Sequence, residues 1–249
     1  MWPYPKVLAH RGGGKLAPEN TLAAMRCGFD HGFRAVEFDV MLTSDGVPIL
    51  MHDDVLGRTV PGSGSIADIS AAELRSRDAG GWFGAQFAGE PVPLLVDVAR
   101  FCKEQGIWMN IEIKPVPGYD EVTSEAAAKV IADVFRGEIA AGKTTALPLF
   151  SSFSYDSVQA IHRALPAVPR AWLVDRIPSD WRARLEQVEA VALHTNHKNL
   201  TPALAAEVKQ AGYGLFCYTV NEPERATEIR EWGVDAFCTD RIDLIPADF

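Results

Sequence analysis

Eight short apolar runs recur along the chain, at 6–10, 35–42, 107–114, 146–151, 170–174, 190–194, 214–220 and 235–239. Each has the length and residue types of a buried strand. Between them lie amphipathic stretches such as 20–32, where Leu22, Met25, Phe29 and then Phe33 fall on one helical stripe, and the Ala-rich 121–141. Strand followed by helix, repeated, means parallel strands. Eight such units close into a barrel, and 249 residues is the usual size of a (β/α)8 barrel, about 250. An open doubly wound sheet has fewer strands and a glycine fingerprint at its first turn. The turn after the first run, Gly12-Gly13-Gly14-Lys15-Leu16-Ala17, is neither G-x-G-x-x-G nor a Walker loop. The expected fold is therefore α/β, a TIM (β/α)8 barrel forming one domain over 1–249. A small insertion follows the second strand at about 54–93, holding seven glycines with Trp82, Phe83 and Phe87. It is too long for a routine loop, and reads either as a lobe over the barrel mouth or as surface decoration.

Composition narrows the partners. At 47% hydrophobic and 23% charged the chain is neither disordered nor fibrous. A net charge of −9 repels a polyanionic backbone, so nucleic acid is not expected. The N-terminal residues lack a basic segment leading into an apolar stretch, and no eighteen apolar residues run unbroken. A soluble cytoplasmic protein without stable membrane anchoring is expected. Cys27, Cys102, Cys217 and Cys238 form no C-x-x-C pair and read as buried free thiols.

In Ala35-Val36-Glu37-Phe38-Asp39-Val40-Met41-Leu42, period-two alternation puts Glu37 and Asp39 on one face and the apolar residues on the other. The apolar face packs on helices, so the acids point into the barrel. In the next barrel strand Asn110, Glu112 and Lys114 share a face in the same way. One structural reading is a salt-bridge network around Lys114, but one lysine cannot balance three carboxylates. Carboxylate oxygens suit a hard divalent cation, Ca²⁺ or Mg²⁺. Zinc would call for His or Cys at ligand spacing. The pair in His194-Thr195-Asn196-His197 reads as loop or polar lining instead.

A turn at Thr43-Ser44-Asp45-Gly46 leads into a returning strand, Val47 to His52. A two-residue turn sets His52 opposite Asp39, and a four-residue loop sets it opposite Glu37. Either register puts His52 on the acid face, whereas a three-residue turn would break the parity. His10 and Arg11 end the first strand and reach the same rim. Arg11 is suited to clamp a phosphoryl oxygen, and two imidazoles beside a phosphoryl group can act as base and acid in an in-line displacement.

These residues resemble the glycerophosphodiester phosphodiesterases. The likeness rests on Ala9-His10-Arg11-Gly12, Ala17-Pro18-Glu19-Asn20-Thr21, Glu37-x-Asp39, Asp45-Gly46 with His52-Asp53, Ile111-Glu112-Ile113-Lys114, Tyr218-Thr219-Val220-Asn221 and Thr239-Asp240. Asp78-Ala79-Gly80-Gly81-Trp82 and Gly89-Glu90-Pro91 resemble that family's inserted domain. The similarity runs end to end and is nearest the bacterial cytosolic enzymes. It implies metal-dependent hydrolysis of glycerophosphodiesters, such as glycerophosphocholine or glycerophosphoethanolamine, to sn-glycerol 3-phosphate and an alcohol. By position it implies His10 and His52 as the acid/base pair, Glu37, Asp39 and Glu112 as ligands of one divalent cation, and Arg11 and Lys114 as phosphate contacts. Tyr218, where many relatives carry Trp, falls in the glycerol or alcohol pocket. Glu19 and Asn20 either bind substrate or hold His10 and Arg11 in place, with N-capping open to Asn20. Three carboxylates, a divalent ion, a phosphodiester, Arg11 and Lys114 sum to zero charge, and without the ion two negative charges are left over. The nucleophile is either water or the glycerol 2-hydroxyl acting through a cyclic phosphate. Two other functions fit less well: a related barrel phospholipase on intact lipid, which −9 disfavours, and a non-catalytic anion-binding module, which has no use for two histidines.

Overall fold

The computed structural model describes residues 2–249. Eight parallel strands form the barrel: β1 (Val7–Ala9), β2 (Ala35–Leu42), β4 (Trp108–Ile113), β5 (Leu149–Ser152), β6 (Arg170–Val174), β7 (Ala192–Asn196), β8 (Gly214–Tyr218) and β9 (Ala236–Thr239). Each pairs with the next, and β1 closes the ring by pairing with both β9 (Val7↔Phe237) and β2 (Ala9↔Val36). The ninth strand, β3 (Pro48–Leu50), runs antiparallel to the end of β2. The TIM barrel expected from the strand count is borne out.

Helices α1 (Leu22–Asp30), α3 (Leu95–Gln105), α4 (Asp120–Val134), α6 (Tyr155–Ala164), α7 (Trp181–Gln187), α8 (Pro202–Gln210) and α9 (Pro223–Glu231) surround the strands, with α2 (Ala71–Arg75) and α5 (Arg136–Ala140) as shorter additions. Several starts are chemically marked: Thr21, Ser154 and Thr201 accept the N–H of Ala24, Ser157 and Leu204, which satisfies otherwise unpaired donors of the first turn. The outward strand residues Val36, Phe38, Val40, Ile111 and Ile113 are buried against Val98, Ala127 and Ile131 of the helices. At roughly 1.5–3 kcal/mol per buried side chain, this layer is the main source of stability.

Inside the barrel the floor is apolar. Leu8, Ala35, Phe216, Ala236 and Cys238 pack with Trp2 and Trp108, and Trp2, Tyr4 and Trp108 also cover Leu149, Ala171 and Ala192. Water is thereby excluded from below, and the strands' C-terminal ends remain as the open face. Between β3 and α3 the chain makes α2 and two single turns of 3-10 helix, Ile66–Asp68 and Ala85–Phe87. This segment has an apolar cluster of its own, including Leu56, Val60, Ile66, Leu74 and Val92, packed on Met41 and Ile49.

Three readings need correction. The hairpin ladder pairs Val40↔Leu50, Met41↔Ile49 and Leu42↔Pro48, so its loop has three residues and neither expected register forms. Gly46 N–H donates to the Thr43 carbonyl, and Gly46 takes φ +75°, the turn-plus-left-handed-glycine loop that three-residue hairpins favour. His194 is not in a loop: it lies on β7, fully buried, with its ring 4.5 Å from that of Phe216. Of the four cysteines, Cys27 is only partly buried.

Candidate active site

Strand alternation turns Glu37 and Asp39 of β2 and Asn110 and Glu112 of β4 into the barrel, paired Glu37↔Asn110 and Asp39↔Glu112 across the ladder. Glu37, Asp39 and Glu112 each offer a carboxylate oxygen, all within 4.8 Å of one another. Burial pushes Glu37 up to about 7. Burial, together with the charges of Asp39 and Glu37, raises Glu112 well above the usual carboxylate range. Burial would also raise Asp39, but the charges of Arg11, His52 and Lys114 hold it below its ordinary value. Crowded oxygen donors that resist ionising together are the donor set a hard divalent cation satisfies.

Two histidines flank the carboxylates, and each is held by an aspartate. His10 Nδ1 lies 2.6 Å from Asp240 Oδ1, and its Nε2 lies 3.6 Å from Glu37 Oε2. His52 Nδ1 lies 2.7 Å from Asp53 Oδ1, and its Nε2 meets the Lys114 ammonium. An aspartate on Nδ1 fixes the tautomer and leaves Nε2 facing the site. For His10 burial acts to lower the pKa, but the Asp240 hydrogen bond and the Glu37 charge outweigh it and the net shift is upward. For His52 burial dominates and the shift is downward. The broken hairpin parity does not displace His52, because Met51, whose N–H donates to the Asp39 carbonyl, is the last residue in register and the chain bends at His52.

Arg11 takes φ +51°, a conformation that costs a non-glycine residue of order 1–3 kcal/mol. In return its backbone N–H donates to Glu37 Oε2 at 3.2 Å, while its guanidinium donates to Glu19 at 2.7 Å and lies 3.4 Å from Asp39. Asn20 is not a helix cap. It donates to Asp39 Oδ2 at 2.8 Å and accepts the Asp39 N–H at 3.1 Å, while Thr21 caps α1. Asn20 therefore stands behind Asp39, outside the hollow lined by His10, Arg11, Glu37, Asp39, His52, Glu112, Lys114 and Tyr218. That hollow has a volume of about 180 Å³. Tyr218 donates its hydroxyl to the Val174 carbonyl at 3.0 Å and packs edge-on against Phe153, so it offers the hollow its ring.

One brace of the site carries no local signal in the sequence. Arg58, in the inserted segment, donates to Asp53 at 2.6 Å and to both Glu19 oxygens at 2.7 Å. It thus ties the partner of His52 to the partner of Arg11. Asp240 is held at about 2: burial would raise it, but hydrogen bonds from His10 and Asn221 prevail. Gly14 lets the first loop lie against this residue, since a Cβ there would sit 2.2 Å from the Asp240 carbonyl oxygen.

The model of the glycerophosphoryl diester phosphodiesterase family matches residues 10–244. The chain belongs to this family. A glycerophosphodiester phosphodiesterase of Caldanaerobacter subterraneus is 32% identical over 94% of this chain and 93% of its own length. One from Bacillus subtilis is 29% identical over 96% and 84%. Among solved structures, an Oleispira antarctica phosphodiesterase in complex with the product sn-glycerol-3-phosphate superposes with a TM-score of 0.88 at 34% identity, covering 97% of this chain and 95% of the other. The Agrobacterium tumefaciens glycerophosphodiester phosphodiesterase gives 0.80 at 26%, covering 96% and 98%. The family and enzyme class expected from the motifs are borne out, and among the described residues no helix is long and apolar enough to cross a membrane.

Proposed function

We propose that this chain hydrolyses glycerophosphodiesters, such as glycerophosphocholine or glycerophosphoethanolamine, to sn-glycerol 3-phosphate and an alcohol. The observation that carries this reading is the pair of aspartate-held imidazoles, His10 and His52, on either side of three converging carboxylates. One imidazole takes the proton of the attacking hydroxyl and the other returns a proton to the departing alkoxide. Arg11 and Lys114 contact phosphoryl oxygens, and the Tyr218 ring walls the glycerol arm. Asn20 acts through Asp39, which it holds in place, and Glu19 braces Arg11.

Glu37, Asp39 and Glu112 would hold one divalent cation, Ca²⁺ or Mg²⁺, which would supply stabilisation of the negative charge gathering on the phosphoryl oxygens. We read residues 1–249 as one barrel domain with a lobe at about 54–93; Met1 lies outside the described residues. The tie from Arg58 to Glu19 supports a lobe that braces the site over one that decorates the surface. A cytoplasmic protein acting on a small-molecule ester, without membrane anchoring, fits this reading.

Release of glycerol 3-phosphate from glycerophosphocholine, followed with and without a chelator, tests the proposal. Release that the chelator abolishes is expected, with His10→Ala and His52→Ala each lowering kcat/KM by about 10²–10⁴-fold. A wild-type protein without metal-dependent release would refute it. Turnover of intact phospholipid alone would point to the phospholipase reading, and binding without turnover to an anion-binding module.

A further inference from the structure

A second hollow, of about 400 Å³, adjoins the first. Among their lining residues the two share only His10 and Arg11. A phosphodiester carries two ester arms on one phosphorus. On the reading above, a phosphoryl group at His10 and Arg11 therefore sends one arm into each hollow. The inner hollow ends among the carboxylates and the barrel interior, so the outer one is left for the alcohol arm. Its walls are the first loop, with Lys15 and Glu19, and the inserted segment, with Trp82 and Phe83.

The aromatic wall is fixed in place. Trp82 donates its indole N–H to the Ala79 carbonyl at 2.9 Å, and the Trp82–Phe83 and Phe83–Phe87 pairs pack edge to face with centroids 5.5 Å apart. Trp82 is nonetheless 44% exposed, a flat apolar surface presented to whatever enters. Most charges of the hollow are already matched: Glu19 by Arg11 and Arg58, Asp240 by His10. Lys15 is exposed and enters no ion pair among the described residues, so the charged side chain of the hollow that lacks a partner is a cation.

We propose that this outer hollow selects the alcohol, and that it favours an uncharged polyhydroxy alcohol, glycerol or a cyclitol, over a quaternary ammonium. A polyol lays its C–H face on Trp82 while its hydroxyls accept from Lys15 and donate to the outer lone pairs of Glu19 and Asp240. A choline arm would find the aromatic face but would meet the Lys15 ammonium with no free carboxylate to offset it.

The test compares kcat/KM for glycerophosphoinositol, glycerophosphocholine and the methyl ester of glycerol 3-phosphate, measured as glycerol 3-phosphate release. The inositol ester is expected to exceed the choline ester by about tenfold, and Lys15→Glu to reverse that order. Trp82→Ala is expected to lower kcat/KM for the inositol ester about tenfold, through KM, while the methyl ester changes by less than about twofold. Both side chains are exposed, so neither variant disturbs the core. Equal or better use of the choline ester by the wild type, or a Lys15→Glu effect that is the same on both esters, overturns the proposal. Calorimetric binding of the inositol and choline esters to a His52→Ala protein separates this subsite from the hydrolytic reading. Tighter binding of the inositol ester, lost with Trp82→Ala, upholds the subsite even if the wild type turns over neither ester. Equal binding of the two refutes it whatever the turnover.

Discussion

His194 makes the barrel interior sensitive to acid. The residue is fully buried on β7 against Phe216, and neither ring nitrogen has a hydrogen-bond partner among the described residues. Burial lowers its pKa from the ordinary 6.5 to about 3. Above pH 6.5 it is neutral folded or unfolded and contributes no pH dependence. As pH falls below 6.5 the unfolded chain takes up a proton that the folded chain refuses until about pH 3, so stability is lost at about 1.4 kcal/mol per pH unit across that window. At pH 4.5, about two units into the window, the loss from this one residue is nearly 3 kcal/mol. His194→Leu keeps a similar volume and removes the titration. Urea unfolding of both proteins at pH 7.0, 5.5 and 4.5, followed by tryptophan fluorescence, isolates the term, because all other groups cancel in the difference. The variant should gain on the wild type by about 1.4 kcal/mol per unit below pH 6.5, with an unchanged m-value. A stability difference that is the same at pH 7.0 and 4.5 would show that His194 is charged or hydrated in the fold, and the reasoning would fail.

Other consequences follow from the hydrogen bonds around the site. Asn20→Ala strips Asp39 of two partners and should weaken divalent-cation binding about 10–100-fold by calorimetry; unchanged affinity would deny Asn20 its supporting role. Arg58→Ala releases Asp53 and Glu19 together and should lower kcat/KM about tenfold while cation affinity stays within about twofold. Equal losses in both would place Arg58 at the metal instead. Gly14→Ala drives a Cβ to 2.2 Å from the Asp240 carbonyl oxygen at φ +53°, and should cost about 2–4 kcal/mol in thermal unfolding. A Tm equal to wild type would mean the loop moves freely away from Asp240.

The parts of the site that were legible in the sequence depend on local periodicity. Alternation along β2 and β4 sends Glu37, Asp39 and Glu112 inward whatever the rest of the chain does, because a strand has only two faces. The hairpin register is not legible locally, because Asp45-Gly46 suits both a two-residue turn and a three-residue loop. Thr43 decides between them through its side chain, which accepts the Val47 N–H at 3.0 Å and donates to Asp45 at 2.6 Å. Asn20 has the chemistry of a cap, and only the tertiary approach of Asp39 diverts it. Arg58 and Trp82 lie in a glycine-rich segment without periodicity, so their reach to the mouth depends on how the lobe folds back. Asp53 and Asp240 belong to the recognised motifs, yet their hold on His52 and His10 shows only once the chain is folded.

On the function proposed above, Glu37, Asp39 and Glu112 share one divalent cation between His10 and His52. A crystal structure grown in saturating Ca²⁺ tests it most directly. One ion is expected, bound by an oxygen from each of the three carboxylates at about 2.3–2.6 Å. Calcium bound elsewhere, with these three side chains left to the Arg11 and Lys114 charges alone, would contradict it.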